Sequence, residues 1–185
     1  SNEVPSDQLV ERQGITYKVN SQTPFTGGKV SYHDNSQLRQ KGNYINGKED
    51  GLHESYHDNG QLLYKGNFKD GKKDGLIEVY YENGQLIWRD NFKDGKKDGL
   101  SEWYHENGQL QSRKNYIDGK EDGLQETYHE NGQLESKENY KDGERVLQLK
   151  FDKEGTHLID LTFTDGKKTG VEYRNHNNGQ LFYKR

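Results

Sequence analysis

The chain contains no cysteine and no methionine, and only two prolines among 185 residues. Without cysteine there is no disulfide, no cysteine-ligated zinc and no thiol nucleophile. That absence suits an exported chain as well as a cytosolic one. With no Met, not even an initiator, the chain is expected to start after processing, with Ser1-Asn2 an added remnant. Apolar residues are scarce as well. Only 27% are hydrophobic, against about 45–50% in an average globular domain, a share that also counts glycine. No apolar run approaches the ~18–20 residues of a membrane-spanning helix. The net charge is only −4, so there is no basic field of the kind nucleic acid requires.

A charged fraction of 31% with so little apolar surface would suit a disordered chain. The aromatics argue for order instead. Thirteen Tyr, six Phe and two Trp recur at fixed intervals, which a disordered chain has no reason to maintain. The tetrapeptide Asn-Gly-Gln-Leu stands at Asn59–Leu62, Asn83–Leu86, Asn107–Leu110 and Asn131–Leu134, a period of 24 residues. It appears as Asn35-Ser36-Gln37-Leu38 one period earlier and returns at Asn178–Leu181. A second landmark interleaves with it, as Asn67-Phe68-Lys69-Asp70-Gly71-Lys72 and its equivalents at Asn91 and Asn115. Each period therefore holds two turn signals separated by short segments rich in Tyr, Phe and Leu, which predicts two antiparallel strands per repeat. The Asn-Gly pair is expected to form the tight hairpin turn with φ > 0 at both central residues. The Asp70-Gly71…Asp74-Gly75 stretch is expected to form the looser one.

Strict alternation then sorts the faces. Leu52, Glu54 and Tyr56 share one, as do Leu62, Tyr64 and Phe68, and their columns down the array are assigned to the core. The other face varies from repeat to repeat. It gathers Leu63, Ile77, Val79, Tyr81, Ile87 and Trp103, with a basic column of Lys41, Lys65, Arg89, Arg113 and Lys137 beside them. Aromatic anchors rimmed by Arg have the composition of a protein interface. The competing readings are self-burial against a loop or the N-terminal segment, and contact with lipid headgroups.

The polar columns favour structural roles. His33, His57, His105 and His129 line up, with Tyr81 filling the column's gap. Equivalent positions in successive hairpins lie about 9–10 Å apart at the usual strand spacing, too far to share a Zn²⁺ whose nitrogen bonds are about 2.0–2.1 Å. They are expected to flank the turns in solvent. Glu54, Glu78, Glu102 and Glu126 repeat too regularly for a catalytic pair, and are expected to accept hydrogen bonds from a Tyr hydroxyl or from backbone N–H groups. The Asp-Gly-Lys turns lack the ligand spacing of a calcium loop. No serine sits in a strained nucleophile turn. Catalytic residues, metal ligands and cofactors are accordingly none.

At Tyr64-Lys65-Gly66-Asn67-Phe68-Lys69-Asp70-Gly71-Lys72-Lys73-Asp74-Gly75 the chain resembles the MORN repeat, Tyr-x-Gly-x-Trp/Phe-x-x-Gly-x-x-x-Gly. The longer unit carrying Asn-Gly-Gln-Leu resembles the bacterial MORN variant, many members of which are labelled YwqK-type antitoxins. The opening segment, Gln8–Arg12 through Thr23–Gly27, is similar to the start of small bacterial lipoproteins of this type. Later repeats depart from the pattern, with Asp90, Lys114 and Glu138 at the first glycine, and Trp88, Ser112 and Ser136 at the tyrosine before it.

The resemblance implies an all-β fold, an elongated single-layer antiparallel meander of tandem hairpin repeats of 24 residues. Residues 1–24 are expected to form an N-terminal segment and cap, 25–145 the regular repeats, and 146–185 degenerate C-terminal repeats. The function implied is non-catalytic protein binding, with an antitoxin or immunity protein that occludes a toxic effector as its sharpest form. A membrane- or lipid-associated envelope scaffold, reaching the membrane through a removed lipid anchor, is the alternative. Carbohydrate recognition on exposed Tyr and Trp is a third class. The expected location is the cell envelope or periplasm, or else the cytoplasm, as a monomer or weak dimer.

Overall fold

The computed structural model describes residues 3–175 and 181–184. Ser1, Asn2 and the Asn178-Gly179-Gln180 part of the last motif lie outside the described residues. The described chain is all-β apart from one 3-10 turn, Ser6–Gln8. It divides into two compact units, residues 1–96 and 97–185. Each is a meander of hairpins, as the period predicts.

The first unit opens with β1 (Glu3–Pro5) and a separate hairpin of β2 (Leu9–Arg12) and β3 (Ile15–Lys18). There follow β4 (Gly27–Tyr32), β5 (Leu38–Ile45), β6 (Lys48–Glu49), β7 (Gly51–Tyr56), β8 (Leu62–Lys69), β9 (Lys72–Tyr80) and β10 (Leu86–Lys93). From β4 onward the pairing is antiparallel throughout. Strand β1 runs parallel to β4 and occupies its other edge. In the second unit β11 (Lys96–Tyr104), which begins one residue before the division, leads to β12 (Leu110–Ile117), β13 (Lys120–Glu121) and β14 (Gly123–Tyr128). The meander continues through β15 (Leu134–Lys141), β16 (Glu144–Phe151), β17 (His157–Thr164), β18 (Lys167–Asn175) and β19 (Leu181–Lys184), again antiparallel.

The two turn types are the reverse of the sequence expectation. Asp70-Gly71 forms the tight turn. Lys69 and Lys72 close the ladder on either side of it, and both central residues have positive φ, 51° and 79°. The Asn-Gly loop is longer, because Tyr56 and Leu62 are its last paired residues. Within it Gly60 donates to the His57 carbonyl at 3.0 Å, His57 donates to the Gln61 carbonyl at 2.8 Å, and only Gly60 has positive φ. Asn59 works through its side chain. Its Oδ1 accepts from Gln61 N–H at 2.9 Å, and its Nδ2 donates to the Glu82 carbonyl of the next repeat at 2.9 Å. The second Asp-Gly pair, Asp74-Gly75, lies inside β9 and is no turn at all.

The facing pattern also corrects strict alternation. Directly opposed residues in an antiparallel pair project to the same side. His53 opposes Gly66, Gly66 opposes Ile77, and Ile77 opposes Asp90, with Tyr64, Val79 and Trp88 on the same side. Leu52, Glu54, Lys65, Glu78 and Arg89 take the other side. The ladder slips beside Leu63 and Ile87, a bulge that adds one residue to the strand. Leu62 therefore sides with Glu54 while Tyr64, two positions on, does not. Ile77, expected on the free face, is fully buried, whereas Leu76 and Leu124 in the supposed core column are 36% and 38% exposed.

What core exists is thin. Val4, Phe25 and Tyr44 cluster with Leu9, which ties the opening segment to the first hairpins. Rings then succeed one another across the strands, Phe25–Tyr44 at 5.9 Å, Tyr44–His53 at 5.5 Å and His53–Phe68 at 5.0 Å between centroids. A Cβ on Gly66 would come within 2.6 Å of Ile77 Cδ1, so a glycine there is the space that Ile77 fills.

The turn assignment gives a paired test by chemical denaturation. Asp70→Gly should change stability by under about 0.5 kcal/mol, since glycine accepts positive φ and the Lys48–Asp70 ion pair is exposed. Asn59→Gly should cost about 1–2 kcal/mol for two lost hydrogen bonds. Equal costs, or the opposite order, would contradict the turn geometry.

Candidate functional site

The side that carries Glu54 is built from repeating ion-pair clusters. Glu54 accepts from Tyr56 Oη at 3.0 Å and pairs with Lys41 Nζ at 3.1 Å. Glu102 accepts from Tyr104 Oη at 3.2 Å and from Arg113 Nε at 3.1 Å, and its carboxylate is 2% exposed. Glu126 takes the Tyr128 hydroxyl at 3.1 Å. The expectation of a Tyr-bonded carboxylate column is met. Burial opposes the charge on Glu54, yet the hydrogen bonds from Lys41 and Tyr56 prevail and hold its pKa below the ordinary Glu value. Lys41 is raised in turn by its bond to Glu54. Lys41 and Arg113, so compensated, present little net positive charge.

The histidine column has a structural use that the sequence reading missed. His33 Nε2 lies 2.8 Å from the Tyr56 carbonyl, His57 Nε2 3.0 Å from that of Tyr80, and His105 Nε2 2.8 Å from that of Tyr128. His129 reaches the Phe151 carbonyl at 3.1 Å. A carbonyl only accepts, so Nε2 carries the proton in each. These imidazoles link one hairpin to the next rather than merely flanking turns. Among the described residues no group of three or more His, Cys, Asp or Glu could hold a metal ion. Among them, too, no helix is long and apolar enough to cross a membrane, which leaves strand-built spans unaddressed.

The side chains expected to meet a partner are distributed unevenly. In the first unit Ile77 is buried, and Val79 is half-buried on the same side. Leu63 and Ile87 stand at the bulges and Tyr81 at the start of a loop, all three partly exposed. Lys65 and Arg89 project from the opposite side, toward Glu54 and Glu78. In the second unit Trp103 opposes Ser112 and is 39% exposed, while Arg113 opposes Glu102 on the other side. The structure thus separates the basic column from the apolar residues with which it was grouped.

The sequence reading overlooked two neighbouring clefts in the second unit, on the side that carries Ser101 and Gln125. One, of about 450 Å³, is lined among others by Gln125, Thr127, Ser136 and Glu138. The other, of about 390 Å³, is lined among others by Ser101, Trp103, Ser112 and Tyr116. Lys114, Thr127 and Glu135 belong to both. The available signal was the change from Tyr64 and Trp88 to Ser112 and Ser136 at one repeat position.

Two measurements follow. Ile77→Ala should lower stability by about 2–5 kcal/mol, the usual cost of truncating a buried aliphatic, whereas Leu63→Ala should cost well under half of that. Burial chiefly pushes Tyr44 and Tyr64 up to about 12, with Glu49 adding to both. A raised folded pKa favours the neutral phenol, so this contribution is complete below pH ~10 and lost between pH ~10 and ~12. Phenolate absorbance should show these two rings ionising late or only with unfolding; normal titration of both would refute their burial.

A model of the MORN repeat variant matches residues 28–46, 49–70, 73–94, 97–118 and 121–142, more than half of the chain. No curated protein matches it. The matched segments coincide with successive hairpins, each ending at the Asn or Asp that opens the tight turn, Asn46, Asp70, Asp94, Asp118 and Asp142. On those five tandem matches, the chain belongs to the MORN repeat variant family.

Proposed function

We infer that this is a non-catalytic repeat module that binds a protein partner, and that it acts in the manner of an antitoxin or immunity protein by occluding a toxic effector. MORN repeats commonly serve as protein- or membrane-binding modules, and one observation favours a protein here. Leu63 and Ile87 occupy a position that is Gln111 and Glu135 in the second unit. Tyr81 replaces the linking histidine, and Val79 stands where Thr127 does later. Since the other repeats carry polar residues in place of Leu63, Ile87 and Tyr81, cohesion does not demand these three. Partly exposed aliphatic and aromatic side chains on a rigid frame are what interface hot spots require.

The membrane reading has weaker support. Polybasic attraction is worth about 1 kcal/mol per cation near an anionic surface, but Lys41 and Arg113 are already paired with Glu54 and Glu102. By its likeness to lipoprotein openings, the segment from Gln8 supports an envelope location with a lipid anchor, and the cytoplasm is the alternative. Residues 1–24 are read as the cap of the array and 146–185 as its degenerate end.

Co-expression with candidate toxic effectors, followed by affinity capture, tests the reading. Tyr81→Ala combined with Ile87→Ala should weaken capture at least tenfold at an unchanged unfolding midpoint. Undiminished capture would place the contact elsewhere, and salt-sensitive sedimentation with anionic vesicles in the absence of any protein partner would favour the membrane.

A further inference from the structure

The side of the sheet that carries His53 and Ile77 in the first unit is occupied there by large side chains, Tyr64, Trp88 and Ile77 itself. In the second unit the same positions hold Ser112, Ser136, Ser101 and Gln125. A thin repeat protein has little apolar packing to spare, and here it has replaced aromatic rings with hydroxyls. The space released is the pair of clefts sharing Lys114, Thr127 and Glu135.

Their chemistry is polar but nearly neutral. Lys114 Nζ is paired with Glu121 at 3.1 Å. Glu138 accepts from Tyr140 Oη at 2.9 Å and from Gln148 Nε2 at 2.7 Å, with Arg145 at 3.4 Å. The Thr127 and Ser136 hydroxyls lie 2.7 Å apart, so together they retain one proton to donate and further lone pairs to accept. Gln125, only 3% exposed, donates its Nε2 to the Asn115 carbonyl at 3.0 Å, yet its Oε1 is buried with no hydrogen-bond partner. A buried acceptor left unsatisfied costs about 1–3 kcal/mol and calls for a donor. Trp103, 39% exposed, lines the second cleft together with Tyr116, whose ring lies under Lys97 Nζ at 5.0 Å. Hydroxyls, an amide acceptor and an aromatic face in a charge-balanced cleft suit a ligand with many hydroxyls and apolar ring faces.

We propose that the clefts of the second unit, floored by Gln125, Thr127 and Ser136 and flanked by Trp103, bind a neutral oligosaccharide. A sugar hydroxyl supplies the donor that Gln125 Oε1 lacks, other hydroxyls exchange bonds with Thr127 and Ser136, and a pyranose face stacks on the indole. Charged glycans are disfavoured because the lining lysines, Lys97, Lys114, Lys150 and Lys153, are matched by Glu121, Glu135, Glu138 and Asp152. This goes beyond the protein-binding reading and does not depend on it, since that reading is carried by residues of the first unit.

The full chain is tested on an array of neutral glycans that includes cellohexaose and chitohexaose, with sialylated and sulfated glycans alongside. The wild type should retain neutral glycans. Ser136→Tyr restores the residue that the first unit carries at this position as Tyr64, refills the cleft, and should cut retention at least tenfold. Thr127→Val removes one hydroxyl at nearly constant volume, should cut it severalfold, and covers the case in which Ser136→Tyr does not fold. Trp88→Phe in the first unit should change nothing. Silence across all neutral glycans, retention confined to the charged ones, or retention indifferent to both second-unit variants would overturn the proposal. Protein capture lost with glycan retention kept would sink the partner reading alone.

Discussion

The fold rests on side chains that reach one repeat forward and fasten to a backbone carbonyl there. His57 to Tyr80 and Asn59 to Glu82, each 23 residues along the chain, are one such pair of links. Asp50 Oδ2 adds another, accepting the Asp70 N–H at 3.3 Å. Each neutral bond is worth only about 0.5–1.5 kcal/mol net, but the hairpins of His33, His57, His105 and His129 carry two each, and their directionality reinforces the register. This explains how a chain with so few apolar residues holds an ordered sheet. Cohesion is nearest-neighbour, as in other repeat proteins, with polar links supplying much of what a core supplies elsewhere.

Because the turns and links fix register, the side chains at the middle of each strand are released from that task. The position held by His53 becomes Ile77, Ser101 and Gln125 in successive repeats, and all four are buried. One fold thus accommodates an imidazole, an aliphatic chain, a hydroxyl and an amide at one structural position. On the opposite side, the Tyr–Glu–cation clusters recur with little change, which marks them as structural. Variation on a fixed frame is what lets one unit present Leu63 and Ile87 while the other opens polar clefts.

Much of this was legible in the sequence. The 24-residue period and its paired turn signals are sufficient for the strand count, the antiparallel pairing and the family. The Tyr-bonded glutamates followed from their constancy. The turn types did not follow, because Asn-Gly suits both a two-residue turn and a longer loop closed by a single left-handed glycine. What decides between them is where the ladder ends, at Lys69 and Lys72 or at Tyr56 and Leu62. The faces failed for a related reason. A bulge at Leu63 shifts the phase of alternation without any glycine or proline to announce it, so the basic column was grouped with the wrong side, while the side of Ile77 was read as free because its residues vary. The clefts were hidden in a substitution, Tyr64 and Trp88 to Ser112 and Ser136, that a reading focused on large residues passes over.

The claim that polar links between repeats hold the register can be tested on the imidazoles themselves. Nitrogen-15 NMR of the full chain near neutral pH should show His33, His57, His105 and His129 as Nε2–H tautomers. Their ring N–H protons should exchange slowly enough with water to be seen, as bonded and half-buried donors do. A freely solvated imidazole would instead show tautomer-averaged, exchange-broadened signals. If those four rings behaved in that way, the hairpins would have to be held together by something other than the links described.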